Sequence, residues 1–211
     1  AKTYDELYRN FRWDIPARFN MAEACCDRHA DGTGRLALIY VDENGATTRT
    51  SFDEVAEMSR RFANVLKADG LARGDRVAVF LSQSLELPIA HMAAFRSGLI
   101  SIPLFALFGE DALEFRLSNS QARAIITDEA GWEKLTRVRD RLPYLQDIYV
   151  TSGAVHAGAK PFWSAIETAS EDFATVDTAA DDPALIIYTS GTTGNPKGAL
   201  HAHRVVLGHL P

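Results

Sequence analysis

The chain has 211 residues, 46% of them hydrophobic and 24% charged, which is the composition of a globular protein with enough apolar material for a sizeable core. A formal net charge of −6 argues against nucleic acid as a main partner, and no apolar run approaches the ~20 residues that span a bilayer. The two cysteines, Cys25 and Cys26, are adjacent, so they offer no disulfide framework and read as small buried helix residues; a cytoplasmic protein fits these features.

From the N-terminus, residues 1–16 read as an arm lying across the domain and anchored by the rings of Tyr4, Tyr8, Phe11 and Trp13. Ala17 to Ala30 has helical spacing, with Phe19, Ala22, Cys25 and Cys26 on one side. Leu36–Val41 and Thr47–Thr50 flank an Asn44-Gly45 turn, a strong hairpin signal. Ser51 and Glu54 form a capping box ahead of a helix to about Ala68, whose core stripe is Val55, Met58, Phe62 and Val65 or Leu66, with Gly70 as its stop.

Arg76 to Leu81 is a near-continuous apolar run, the pattern of a strand covered on both faces. The expected elements then alternate: a helix over Leu85–Arg96, a strand over Leu99–Pro103, a helix over Gly109–Ser118 with Ala112, Phe115 and Leu117 apolar, a strand over Arg123–Thr127, a helix over Trp132–Leu142 and a strand over Asp147–Val150. Strand–helix alternation of this kind predicts an α/β fold, a mainly parallel sheet with helices on both faces. His91, inside its helix, reads as a packed residue rather than a ligand. Ser152–Pro161 reads as a loop and Phe162–Ser170 as a short helix. Glu171 to Asp182 carries five carboxylates, Glu171, Asp172, Asp177, Asp181 and Asp182, read as a solvated acidic connection because metal ligands need fixed spacing on rigid elements.

The apolar run Ala184–Tyr188 then breaks into a loop of unusual chemistry. It holds four hydroxyls (Thr189, Ser190, Thr192, Thr193), three glycines (Gly191, Gly194, Gly198), Asn195, Pro196 and Lys197. Glycines let main-chain N–H groups turn toward a ligand, hydroxyls donate to phosphate oxygens, and a lysine adds a compact cation. The loop is thus fit to hold a polyphosphate. It is not the common P-loop, since Pro196 disfavours helical geometry at Asn195 and Gly198 follows the lysine. Beyond it Ala199–Ala202 looks extended, and Arg204 onward looks helical. His201 and His203, two apart on a strand, would point the same way, but a zinc site needs three or four ligands and nothing nearby supplies the rest.

Tyr188 to Gly198 resembles the phosphate-loop signature of the adenylate-forming (AMP-binding) superfamily, with every fixed position present. The opening Phe11–Asn20, the stretch Gly74–Val79 and Arg96–Ile100 with Pro103 are similar to medium-chain acyl-CoA synthetases, so that the chain as a whole most resembles a short- or medium-chain acyl-CoA synthetase. The resemblance implies part of the large N-terminal α/β domain of such an enzyme, with residues 1–183 forming a subdomain and 184–211 the strand, the loop and the start of the next unit. It implies ATP-dependent activation of a carboxylic acid to an acyl-adenylate and transfer to coenzyme A, with ATP, Mg²⁺ and coenzyme A as cofactors and co-substrates. Thr189, Ser190, Gly191, Thr192, Thr193, Gly194, Asn195, Pro196, Lys197 and Gly198 would hold the β- and γ-phosphates, and Lys197 would be the catalytic cation. The metal ligand and the adenine, ribose and acyl contacts are expected beyond residue 211, so residues 1–211 alone are expected to be inactive. A carrier-protein thiol as acceptor and a non-catalytic binding module are the other two readings, and a homo-oligomer is compatible with each.

Overall fold

The computed structural model describes residues 3–190 and 194–209. Its centre is a seven-stranded sheet. The strands are β3 (Arg76–Leu81), β4 (Ile100–Phe105), β5 (Ala124–Thr127), β6 (Asp147–Val150), β7 (Lys160–Pro161), β8 (Pro183–Thr189) and β9 (Lys197–Ala202), in the order β7-β6-β5-β3-β4-β8-β9. All neighbours pair in parallel except β8 and β9, which are antiparallel. A separate hairpin joins β1 (Leu36–Val41) to β2 (Thr47–Ser51).

The sheet is covered on both faces because β3 buries both of its sides. Val77, Val79 and Leu81 face a cluster with α3 (Phe52–Ala68), α4 (Glu86–Arg96) and α7 (Phe162–Thr168). Ala78 and Phe80 face the opposite cluster, with α5 (Glu110–Ser120) and α6 (Glu129–Val138). Chain order explains the layering: β3 continues through α4 to β4 on one side, and β5 continues through α6 to β6 on the other.

Local chemistry sets the ends of these elements. Ser51 Oγ accepts from Glu54 N–H while Glu54 Oε2 accepts from Ser51 N–H at 2.7 Å, the expected capping box. Those hydrogen bonds also hold the Glu54 carboxyl below the usual glutamate range. At the other end of α3, Gly70 takes φ +82°, and Leu71 N–H and Gly70 N–H donate to the carbonyls of Leu66 and Lys67. That is the two-bond termination that a left-handed glycine permits.

The structure corrects several expectations. The aromatic arm is not anchored: it forms α1 (Tyr4–Asn10), none of whose residues is buried, and the rings of Tyr4, Tyr8, Phe11 and Trp13 stand exposed. The helix expected over 17–30 is only α2 (Met21–Cys25), because Asn20 is extended and caps it through its Oδ1; a 3₁₀ turn, Asp27–His29, follows. In α5 the fully packed positions are Leu113, Arg116 and Leu117, with Ala112 and Phe115 only half-buried. α6 begins at Glu129, not Trp132, because Asp128 caps it through Gly131 N–H. Lys160 and Pro161 at the end of the expected loop form the edge strand β7. The segment after β9 is a 3₁₀ helix, His203–His209.

Helix α6 sits so close to the sheet that Gly131 has no room for a side chain. A Cβ there would lie 1.8 Å from Thr127 Oγ1 and 2.8 Å from Phe80 Cδ1. Thr127 cannot yield cheaply, since its buried hydroxyl donates to Phe80 O. Gly131→Ala is therefore expected to lower stability by about 3 kcal/mol, the upper range for overpacking, even though alanine favours helices by about 1 kcal/mol. Denaturant unfolding measures it, and an unchanged midpoint would show that α6 can slide outward freely.

Candidate phosphate-binding site

The expected site residues lie at the tip of an antiparallel hairpin formed by β8 and β9. Thr189 pairs with Lys197, Tyr188 with Gly198 and Ile187 with Ala199. The hydroxyl that leaves β8 and the ammonium that enters β9 thus start from directly opposed residues at the mouth of the loop. Since β8 runs parallel to the strands beside it, the loop leaves from its carboxyl end, the edge where open α/β sheets place ligands. Thr189, Ser190, Gly194, Asn195, Lys197 and Gly198 are exposed and Pro196 is half-buried. Gly191, Thr192 and Thr193, also expected to bind phosphate, lie outside the described residues.

Two of the glycines have separate reasons. Gly194 takes φ +93°, a left-handed backbone that a side chain would strain. Gly198 is sterically required, for a Cβ would lie 2.9 Å from Ile186 Cγ2 and 3.3 Å from the Tyr188 ring. The Tyr188 ring fills the space beside the Gly198 backbone, and its hydroxyl donates to Asn119 Oδ1 at 2.7 Å and to Arg116 O at 3.2 Å on α5. Burial pushes the Tyr188 phenol above its ordinary pKa, so it stays a neutral donor. The Arg116 guanidinium lies over the Tyr188 ring at 5.7 Å and over the Phe108 ring at 3.9 Å. The hairpin thereby rests on α5 through an aromatic–cation stack.

The base of the hairpin is tied by the acidic connection before it. Three of its carboxylates meet separate arginines. Arg18 pairs with Asp177, Arg73 with Asp182, and Arg204 with Asp181 at 2.8 Å. Asp182 Oδ2 also accepts from Ala179 N–H. His201 and His203 do not act together: His203 lies beyond the strand, buried, with its Nδ1 accepting from Met21 N–H at 3.1 Å. Burial holds its pKa down to about 4. His91 is packed as expected, with Nδ1 2.7 Å from Ser101 Oγ. The anchors Asn119, Arg116 and Met21 escape a sequence reading because they meet the hairpin from 69 to 182 residues away, with no local pattern to mark them.

Residues 26–209 match the family model described as AMP-binding enzyme. The chain belongs to the AMP-binding enzyme family. It is 35% identical to an acetyl-coenzyme A synthetase of Bacillus subtilis, covering 98% of this chain and 38% of that protein. It is 33% identical to mouse mitochondrial acyl-coenzyme A synthetase ACSM3, over 95% of this chain and 36% of the relative. Among solved structures, a Brucella canis acyl-CoA synthetase superimposes with a TM-score of 0.87 at 27% identity, covering 99% of this chain and 39% of that one. An anthranilate CoA ligase, solved with anthranoyl-AMP, shares the fold with a TM-score of 0.82 at 23% identity. The chain therefore spans well under half the length of these relatives. Among the described residues no helix is long and apolar enough to cross a membrane.

Proposed function

We propose that this chain is the phosphate-holding part of an AMP-forming acid–thiol ligase. In that reaction a carboxylate oxygen attacks the α-phosphorus of ATP, and the bond to the β-phosphate bridging oxygen breaks, giving acyl-adenylate and pyrophosphate. The thiol of coenzyme A then attacks the acyl carbon and expels AMP. The observation that carries the reading is the hairpin tip itself. At the carboxyl end of a parallel strand the exposed Thr189 and Ser190 lead into a loop whose sequence is hydroxyls and glycines, the exposed Gly194, Asn195 and Lys197 close it, and nothing described packs over these residues. Such a tip fits a triphosphate tail and offers no apolar surface for a fatty chain.

In this reading Thr189, Ser190, Thr192 and Thr193 donate to the β- and γ-phosphate oxygens, and Gly191, Gly194 and Gly198 leave main-chain N–H groups open. Asn195 and Pro196 shape the turn, and Lys197 offsets the charge that grows on the leaving pyrophosphate. Mg²⁺, when bound, would share that charge. No general base is required, since the attacking carboxylate is ionised at neutral pH. The names of the relatives favour coenzyme A over a carrier-protein thiol as acceptor. We also place a subdomain boundary at residues 183/184, one residue into β8, where the chain passes from the acidic connection into the hairpin that carries the loop.

Lys197→Ala in the full-length protein is expected to slow ATP–pyrophosphate exchange about 100-fold, a loss of about 2.7 kcal/mol, the scale of removing one preorganised charge-stabilising group. The KM for the acid should move little, because the cation meets the leaving group and not the acid. The assay uses acetate and a series of longer acids. Exchange by wild type with none of them would defeat the ligase reading, and unchanged exchange in the variant would remove Lys197 from it. Residues 1–211 alone should show no exchange, since they hold only one end of one substrate.

A further inference from the structure

We infer that His203 is a positioning residue for the phosphate loop, acting from the base of the β8–β9 hairpin through its hydrogen bond to the first turn of α2. The inference rests on the ligase reading above for its kinetic test but not for its geometry. His203 is fully buried. Its Nδ1 takes the N–H of Met21, which stands at the first position of α2, where a helix has no internal acceptor for its N–H. The neighbouring Ala22 N–H is already taken by Asn20 Oδ1, so His203 supplies the acceptor for the first N–H of α2 from 182 residues away.

The other ring nitrogen shows that this is more than filling. With Nδ1 accepting, the proton of the neutral ring sits on Nε2, and Nε2 is buried with no hydrogen-bond partner among the described residues. A leucine or methionine would occupy the same apolar surroundings, beside Phe95 and Met21, without an orphaned donor. The acceptor at Nδ1 is what such a residue would lack.

The placement gives that bond leverage. His203 N–H donates to Asp182 O and Arg204 N–H to Ala180 O, so the ring is fixed where the hairpin closes. Lys197 lies six residues up β9, about 20 Å at strand rise. Above its base the hairpin is held where Leu185 registers with Ser101 of β4 and where the Tyr188 hydroxyl meets α5, and the His203–Met21 bond fixes the base itself. Tilting a 20 Å lever by about 3° moves its tip by about 1 Å, and displacements of that size can cost about 100-fold in rate.

Four variants of the full-length protein separate the acceptor from bulk. His203→Leu removes the acceptor, and His203→Asn places Oδ1 near the site of Nδ1. Met21→Pro deletes the donor N–H at a helix position that tolerates proline, after an already extended Asn20, while Met21→Ala deletes the side chain and keeps the N–H. His203→Leu and Met21→Pro should each raise the KM for ATP and lower kcat for exchange by about tenfold or more, with the KM for acid changed less than about twofold. His203→Asn and Met21→Ala should stay within about threefold of wild type. A merely structural role would lower the folded fraction, and with it kcat, but would leave the KM for ATP where it was.

An unchanged KM for ATP in both His203→Leu and Met21→Pro would overturn the inference, as would His203→Asn behaving like His203→Leu. If wild type exchanges with no acid, the ligase reading fails by itself, and calorimetric ATP binding replaces exchange for the same four variants. Weaker binding in the first pair alone would then support positioning. Equal binding in all four, or none in wild type, would defeat it.

Discussion

Replacing Arg96 with alanine should cost about 3–5 kcal/mol of stability, the penalty for breaking a buried ion pair by removing one partner. Arg96 ends α4 with only 1% of its side chain exposed. Its guanidinium donates to both oxygens of Asp27, at 2.9 and 3.2 Å, to Ser59 Oγ at 2.9 Å and to Thr175 Oγ1 at 3.3 Å. One side chain thus joins the turn after α2, the middle of α3 and the acidic connection, and its carbonyl also accepts from Val176 N–H. Without it the Asp27 carboxylate, itself only 27% exposed, keeps a charge with no counterion, and Ser59 keeps a buried hydroxyl. Arg96→Lys should recover less than half of the loss, because one ammonium cannot reproduce a planar fork on two oxygens and two hydroxyls. Denaturant titration gives the answer through the midpoint at constant slope. A loss under about 1 kcal/mol for Arg96→Ala would mean that Asp27 turns to water at no cost.

What could be read in advance follows from how local each cause is. The Ser51–Glu54 capping box and Gly70 act within a few residues, and the two-faced burial of β3 is written in its own apolar run, so α3 and the centre of the parallel sheet were legible. The shortness of α2 was readable in principle from Asn20, a good cap inside an apolar-spaced stretch, and Asp128 likewise marked the true start of α6. β7 is two residues on a sheet edge, too short to have a period. Gln121 ends α5 in a left-handed conformation, φ 52°, where glycine or asparagine is the usual signal. At the candidate site the loop chemistry was plain, because glycine, hydroxyl and lysine carry their meaning individually. The hairpin geometry was not, since alternation of strand and helix argues for parallel neighbours and β8–β9 departs from it. The supports of the site depend on Asn119, Arg116 and Met21 arriving from elsewhere in the fold.

Stability should fall steeply with acidification from pH 6.5 toward pH 4, through two histidines. Burial holds both His91 and His203 down to about 4; for His203 nearby Arg73 lowers it further and Asp182 opposes. In the unfolded chain each returns to about 6.5. The folded pKa is the lower one, so between the two values the unfolded chain binds protons that the folded chain refuses. Stability therefore rises with pH in this window and is lost as pH falls through it. Each group contributes at most about 3 kcal/mol, and about 2 kcal/mol of that is lost between pH 7 and pH 5, or about 4 for the pair. The geometry gives the same sign. Protonating His203 Nδ1 would set its N–H against the Met21 N–H, and both rings flank Phe95, at 6.2 and 6.3 Å between centroids, in an apolar setting. Carboxylates that hydrogen bonds hold below their ordinary range, such as Glu54 and Asp177, add a loss of the same sign that begins as pH falls through the ordinary carboxylate range. Urea unfolding at pH 7, 6 and 5 measures the slope, and His203→Asn, which keeps an acceptor but cannot titrate, should roughly halve it. A free energy of unfolding that stays level from pH 7 to pH 5 would mean that one or both rings reach water and ionise in the folded protein.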